Sequence, residues 1–380
     1  MKIIVISMQS LTAINRSTFY QLSKLHQVFL YVPSKLKLAG KSFKKNTNFS
    51  DDGYSLHKFD LQIFSPLIYF SFDLIKKIYK YRHTTDAIVC DFEPATLLGL
   101  IIRMQCFIFQ IAVIFIAVDD QNFNLKFNHI FYKPKNLVRN MVKRFLLIGS
   151  KNKKCIVTAC NQFAITNYSD LGIRCSFMPL GYSSRLFKPL RVQKSKLIRI
   201  GMLGRIVKEK GAHILLEALT LSNLDNYRLV IDNFSEYGDS YKEMISNLIA
   251  LNNLEDKIEF VNPDHDEMPM LINSLDIVVM PSISISGWQE QYGRIAVESL
   301  ACGKPVIASS CGSLPFILGK YGLIFKERSS SELSLLLNNL KEIINNFDYK
   351  NAQIYAYNNY SDSAQAKILD NLIKSRFTNE

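Results

Sequence analysis

Residues 97–118 read LLGLIIRMQCFIFQIAVIFIAV, and this run constrains the fold more than any other stretch of the chain. It is long enough to span a bilayer, yet Arg103, Gln105 and Gln110 interrupt it, and a charge near a bilayer centre is expensive. The run divides instead into a buried helix ending near Gln105 and a buried strand over 111–118. A strand that is apolar at every position is covered on both faces, the condition of a parallel sheet between helices. Further strands are expected at 2–7, 28–32, 87–90 and 155–158, with another strand end at 177–181. Helical segments alternate with them, so the class is α/β with parallel sheets. The 380 residues suffice for two domains, each with its own core.

The densest chemistry lies in residues 287–307, GWQEQYGRIAVESLACGKPVI. Glu290 and Glu298 stand eight positions apart around Gly293, and a helix opening near Gly293 would aim its free N–H groups and positive dipole end at an anion. Glu298 would sit about a turn and a half into that helix, with Glu290 on the loop before it. Carboxylates accept from hydroxyls and backbone amides donate to phosphates, so the pattern suits a ligand that is part sugar and part phosphate. A second stretch, LIRIGMLGRI from Leu197, continues through Lys208, Glu209, Lys210 and Gly211 to HILLEALTL. It reads strand, glycine-bearing loop, helix, with Arg205 and Lys210 at the strand's carboxyl end, where ligands bind in open α/β sheets. Two cations there would neutralise a diphosphate; a solvated charged turn is the plain alternative.

Taken together, these residues resemble the glycogen-synthase-like, group 1 family of retaining nucleotide-sugar glycosyltransferases. Glu290, Tyr292-Gly293 and Glu298 match its Glu–seven residues–Glu signature, and Ala301-Cys302-Gly303-Lys304-Pro305-Val306-Ile307 follow as expected. Gly204-Arg205 and Lys210-Gly211 match its upstream pairs, and residues 258–282 its strand–loop–helix–strand leading to Pro281-Ser282. The likeness covers about residues 197–325. One departure is Gly312-Ser313-Leu314-Pro315-Phe316, where the family often carries an acid at the last position. The resemblance implies the GT-B fold, two Rossmann-like domains with parallel sheets facing across a cleft. The expected domains are an acceptor domain over 1–190 and a donor domain over 197–355, with a final helix over about 358–380 packing back on the first.

The resemblance also implies roles. Arg205 and Lys210 become electrostatic catalysts, and Glu290 holds the donor sugar's hydroxyls. Gly204, Tyr292, Gly293 and Arg294 cradle the diphosphate, and Glu298 takes the ribose. The implied reaction is hexosyl transfer with retention from a nucleoside-diphosphate sugar to a glycan or lipid-linked acceptor, in polysaccharide or lipopolysaccharide assembly, with no metal and no cofactor. A nucleotide-sugar epimerase and a non-catalytic nucleotide-sugar binder are the alternative readings. On the acceptor side the candidates are Arg16, Glu93, Asp119, Asp120 and Asn122, polar residues after apolar strands.

Composition places this chemistry. A hydrophobic fraction of 48% with 21% charged residues excludes a disordered chain. The seven cysteines contain no CxxC and are odd in number, which reads as reduced thiols, mostly buried. The opening MKIIVIS is too short for a signal-peptide core, so a cytoplasmic location is expected. The net charge of +13 fits no nucleic-acid motif; an anionic inner-membrane surface is the better partner. Residues 61–82, LQIFSPLIYFSFDLIKKIYKYR, read as an amphipathic helix for that surface or as an ordinary helix with a basic face.

Overall fold

A computed structural model describes residues 1–11, 13–35, 53–118, 134–193, 195–232 and 239–375. The chain forms two units, one of Met1–Ser183 with Asp362–Glu380 and one of Ser184–Ser361. Each is an α/β unit built on a parallel sheet, and the fold is GT-B.

The first unit's sheet contains β1 (Lys2–Ser7), β2 (Gln27–Pro33) and β3 (Ser55–Phe59). A short antiparallel hairpin, β4 (Gln62–Ile63) and β5 (Tyr69–Phe70), stands apart from it. The main sheet continues with β6 (Ala87–Asp91), β7 (Ala112–Ala117), β8 (Cys155–Ala159) and β9 (Cys175–Phe177). Its order is β3-β2-β1-β6-β7-β8-β9, parallel throughout. Alternate side chains of each strand enter opposite cores. Ile4, Ile6, Ile88, Cys90, Val113, Phe115 and Val157 share one core, whereas Ile3, Val5, Val89, Ile114, Ile116 and Ile156 share the other.

The run over 97–118 is a helix, Leu97–Ile108, followed by β7. Thr96 caps the helix by accepting the Gly99 N–H at 3.1 Å, and Gln110 ends the segment at φ 60°. Arg103 is buried, donating to the Pro94 carbonyl at 2.9 Å and to the carbonyls of Leu146 and Ile148. It therefore pins this helix to the end of the helix Pro134–Leu146. The reading of 61–82 as one helix is corrected: the segment holds the β4–β5 hairpin and then a helix only over Phe72–Tyr81. Leu74 and Ile78 of that helix are buried, so it uses its apolar side in the ordinary way.

The helix Asp362–Lys374 packs Ala366, Leu369 and Ile373 into the second of the two cores, beside Phe19 and Leu22. Gln365 Oε1 accepts from Thr18 Oγ1 (2.6 Å) and Gly181 N (3.0 Å), and His26 Nε2 meets Asp370 Oδ1 at 2.9 Å. A Cβ on Gly181 would lie 2.5 Å from that Gln365 oxygen, so glycine permits the approach.

The second unit has β10 (Ile198–Met202), β11 (Tyr227–Asp232), β12 (Ile258–Val261), β13 (Ile277–Met280), β14 (Val306–Ser309) and β15 (Gly322–Phe325). They form one parallel sheet in the order β12-β11-β10-β13-β14-β15. The segment before β10 belongs to this unit because Asn273 anchors it, accepting from Leu190 N at 2.8 Å and donating to the Lys188 carbonyl at 3.0 Å. None of the seven cysteines is in a disulfide; six are buried and Cys175 is partly so. Among the described residues no helix is long and apolar enough to cross a membrane.

Candidate active site

In the second sheet, chain order runs outward from β10 through β11 to β12, then returns to β13 on the other side of β10. The crevice beyond the carboxyl ends of β10 and β13 is thus a topological switch point, where loops part and a ligand can enter. Three loops meet there. The β10 loop carries Gly204 at φ 111°, Arg205, a 3-10 turn over Lys208–Lys210, and Gly211 at φ 72° opening the helix Ala212–Leu221. A Cβ on Gly211 would lie 1.9 Å from the Pro281 carbonyl oxygen, and Ile283 N donates to the Glu209 carbonyl at 2.8 Å. The β10 and β13 loops are clipped together by that bond, with glycine as the residue that lets them touch.

The clip brings Lys210 to Glu290. Lys210 Nζ lies 2.6 Å from Glu290 Oε2, which also accepts from Ser282 Oγ at 3.1 Å. The same ammonium stands 5.2 Å from the centre of the Trp288 ring. Glu290 is buried and Lys210 about one-fifth exposed, so the carboxylate holds the lysine in place while leaving one side of it open. The third loop, after β14, crosses the backbone of Glu290. Ser313 N donates to the Glu290 carbonyl at 2.8 Å, and a Cβ on Gly312 would fall 2.1 Å from that oxygen.

Gly293, at φ 77°, starts the helix Arg294–Ala301 without any side-chain cap. The N–H groups of the first turn are therefore presented by backbone alone, the geometry that receives anions. Glu298, in the second turn, is 2% exposed. Burial raises its pKa to about 8, against a smaller opposing pull from Arg294. Among the described residues no donor meets its carboxyl. A buried acid left without a donor is costly, and a hydroxyl-bearing ligand would complete it. Gly204 N donates to Asp232 Oδ2 at 3.3 Å, and nothing lies within 4 Å of the place a Gly204 Cβ would occupy. Asp232, at the end of β11, escaped the sequence reading because a lone acid after a strand carries no motif.

The first unit treats its expected residues differently. Arg16 is not a surface residue: it is buried, with Nε donating to the Ser10 carbonyl at 2.7 Å and Nη2 to that of Leu11 at 3.1 Å. It shapes the loop after β1. Glu93 is likewise engaged, accepting Val118 N at 2.7 Å and the Tyr168 hydroxyl at 3.3 Å. Tyr168 is fully buried, and burial first, then the Glu93 charge, pushes its phenol well up. Asp119, Asp120 and Asn122 lie outside the described residues. The first sheet's own switch point, between β1 and β6, holds Ser7 and Asp91, whose Oγ–Oδ2 hydrogen bond is 2.5 Å. Asp91, adjacent in sequence to the segment that drew attention to Glu93, is the acid at that crevice. His213 is half-buried with Nδ1 2.7 Å from the Tyr241 hydroxyl; burial and then Lys208 lower its pKa, a structural setting.

Residues 186–360 match the family model described as glycosyl transferases group 1. The second unit therefore carries the match to the group 1 glycosyltransferases. An uncharacterised glycosyltransferase of Methanocaldococcus jannaschii is 33% identical over 146 residues, covering 38% of this chain and 37% of that protein. A D-inositol 3-phosphate glycosyltransferase of Corynebacterium jeikeium is 29% identical over 142 residues, 35% of this chain and 32% of the relative. The matched stretches thus span about a third of these relatives' length. Over the whole chain the fold is similar to that of Anabaena HepE, solved with UDP, at TM-score 0.70 and 19% identity, covering 99% of this chain and 100% of that one. It is also similar to sucrose-phosphate synthase of Thermosynechococcus elongatus, at TM-score 0.62 and 17% identity, with full coverage of both chains. Of the residues in the matching motifs, Lys210, Ser282 and Glu290 meet at this crevice. Among the described residues no group of three His, Cys, Asp or Glu side chains is placed to hold a metal.

Proposed function

We propose that the protein transfers a hexosyl group, with retention, from a nucleoside-diphosphate sugar to a glycan or lipid-linked acceptor at the inner membrane surface, in cell-surface polysaccharide or lipopolysaccharide assembly. The observation that carries this reading is the Lys210–Glu290 pair, 2.6 Å apart at the switch point. A cation fixed by a buried carboxylate stands ready where negative charge develops on the leaving diphosphate, without reorganising as it forms. Arg205, on the same loop, is the second cation. The first turn of the helix Arg294–Ala301, led by Tyr292 and Gly293, supplies backbone donors to the phosphates, and Glu298 accepts from the ribose hydroxyls. Glu290 has a free share of its carboxylate for the sugar's hydroxyls.

In the reaction the acceptor hydroxyl oxygen bonds to the anomeric carbon as the carbon–oxygen bond to the diphosphate breaks. Attack from the face of the leaving group retains configuration, and the acceptor's proton passes to the departing phosphate oxygen. The chain's own groups supply the charge stabilisation, so the proposed reaction needs neither metal nor cofactor. HepE was solved with UDP and with UDP-glucose, which makes uridine diphosphate sugars the first probes.

A panel of nucleotide sugars tests the reading, following released nucleoside diphosphate and thermal stabilisation together. The expected result is a donor that stabilises the wild-type protein and loses that effect with Glu298→Ala. A donor converted to its epimer without acceptor would replace transfer by isomerisation. Absence of stabilisation by every donor would remove the donor-binding reading.

A further inference from the structure

The formal charge of +13 is not shared between the units: the first carries +14 and the second −1. Within the first unit it is concentrated again, because residues 121–169 contain nine Lys or Arg and no Asp or Glu. The helix Pro134–Leu146 lies in this stretch; it buries Leu146, yet its outward side is apolar as well. Its inward side includes Asn140 and Lys143, both buried, while Val138, Met141, Phe145 and the following Ile148 are each more than half exposed. Their spacing of three, four and three residues puts them on one stripe. Arg139 and Lys151, both exposed, flank it.

A second exposed stripe lies alongside. Met104, Phe107 and Ile108 of the helix Leu97–Ile108 are also more than half exposed. Arg103 ties the two helices together through the carbonyls of Leu146 and Ile148, and a cavity of about 300 Å³ opens between Met104, Phe107, Ile108 and Ile148. Scattered apolar residues on a surface need no explanation, but a contiguous apolar patch from two helices marks an interaction site.

We propose that this paired apolar face, with its basic rim, docks on an anionic lipid bilayer, its side chains entering the acyl boundary and the cavity between the helices receiving hydrocarbon. The choice of occupant follows from charge. An apolar face with Arg139 and Lys151 beside it, on a stretch rich in lysine and arginine and without an acid in sequence, matches a surface that is apolar within and negative at its headgroups. The proposal deepens the membrane part of the function above and does not need the 61–82 segment, whose helix turns Leu74 and Ile78 inward while Phe72 stays exposed. It does not depend on the chemistry at Lys210, so vesicle binding and donor binding can succeed or fail separately.

The experiment is co-sedimentation of the full chain with phosphatidylcholine vesicles, with and without phosphatidylglycerol, across a salt series. The expected result is binding that requires phosphatidylglycerol, weakens with salt, and falls by about tenfold or more in Met141→Glu/Phe145→Glu. Leu251→Glu, at a 78% exposed leucine of the second unit, should bind as wild type does. Since the double variant could disturb folding, Arg139→Glu/Lys151→Glu gives an independent reading, with melting curves recorded for both. These vesicle arms use no donor; a retained donor-induced stabilisation in variants that no longer bind vesicles would separate the surface from the transfer site. Three results overturn the proposal: no binding to phosphatidylglycerol vesicles, equal binding to uncharged ones, or wild-type binding by well-folded variants of both kinds. Retention by a soluble polyanion with vesicles left unbound would assign the rim to another partner and overturn it as well.

Discussion

Glu298→Gln should stabilise this protein at neutral pH while impairing it, and the pH dependence of that stabilisation can be worked from the structure. Glu298 is buried, and that burial lifts its pKa from 4.5 to about 8. Below the unfolded value both states are protonated and nothing is lost. Between the two values the unfolded chain ionises at this position while the folded one stays neutral, so stability falls as pH rises. At about 1.4 kcal/mol per pH unit, the loss is about 3 kcal/mol by pH 7 and levels off near about 5 kcal/mol above the folded value. Glutamine has the same shape and does not titrate. The variant's advantage should therefore be near zero at pH 4 and grow steadily towards pH 8. A constant offset from burying an amide instead of an acid, about 1–3 kcal/mol in either direction, does not alter that slope. Denaturant unfolding followed by tryptophan emission is a suitable assay, because Trp288 is the only tryptophan in the chain and lies in this unit. Transfer should fall about 2- to 10-fold at neutral pH, the scale of losing a hydrogen bond to a neutral carboxyl. Parallel stability curves for variant and wild type between pH 4 and 8 would refute the reasoning.

Other perturbations separate the parts of the site. Arg205→Ala and Lys210→Ala should each lower turnover about 10²–10³-fold, as for loss of one preorganised donor to developing charge, and near-normal turnover would sink the assignment. Lys210→Ala should also destabilise by about 1–3 kcal/mol because it strands the buried Glu290 carboxylate; the figure is reduced for the lysine's partial exposure, and adding Glu290→Gln should restore melting but not activity. Binding of UDP or a UDP-sugar should change Trp288 emission, since its ring lies 5.2 Å from Lys210 Nζ, and unchanged emission at saturating ligand would place the ligand elsewhere. Gly312→Ala would put a Cβ 2.1 Å from the Glu290 carbonyl oxygen at a positive φ, and should cost about 2 kcal/mol or more; a wild-type melt would show that the loop passes Glu290 differently.

Much of the second unit was legible because its function is written in local sequence. Gly211, Gly293 and Gly312 sit at φ values that favour glycine, next to loops whose strands announce themselves as apolar runs. A reader of the chain can therefore find β10, β13 and β14 and the residues at their ends. What could not be read is pairing across distance: that Lys210 would meet Glu290 rather than stand free, or that Asp232 would reach the Gly204 N–H. The first unit was less legible for the same physical reason. Arg16 and Glu93 have the polarity of ligand-binding residues, but both satisfy backbone groups that would otherwise be buried without partners. β3 escaped notice because SLHKF does not alternate cleanly and lies at the sheet edge, with only one neighbour to demand a pattern. The segment 61–82 misled because its aromatics suggest one amphipathic surface, whereas Ser71 caps a helix that begins only at Phe72.

The division of charge carries a consequence for how the two units should tolerate substitution. The second unit has a net charge of −1, so no broad field of its own draws in a diphosphate. In the proposed function the attraction comes from Arg205, Lys210 and the turn at Gly293, each acting over a few ångströms where a single cation counts heavily. Losing one should therefore be severe, and added salt should not imitate the loss. The first unit, at +14, is the opposite case. Its charges on an exposed surface are screened within about 8 Å at physiological salt and act together, each near a membrane contributing about 1 kcal/mol. Removing one there should change little, removing several should matter, and raising the salt concentration should reproduce the effect. Sharp, salt-insensitive losses at Arg205 and Lys210, set against gradual, salt-sensitive losses around residues 139–154, are what separate a site that stabilises a reacting group from a surface that holds the protein in place.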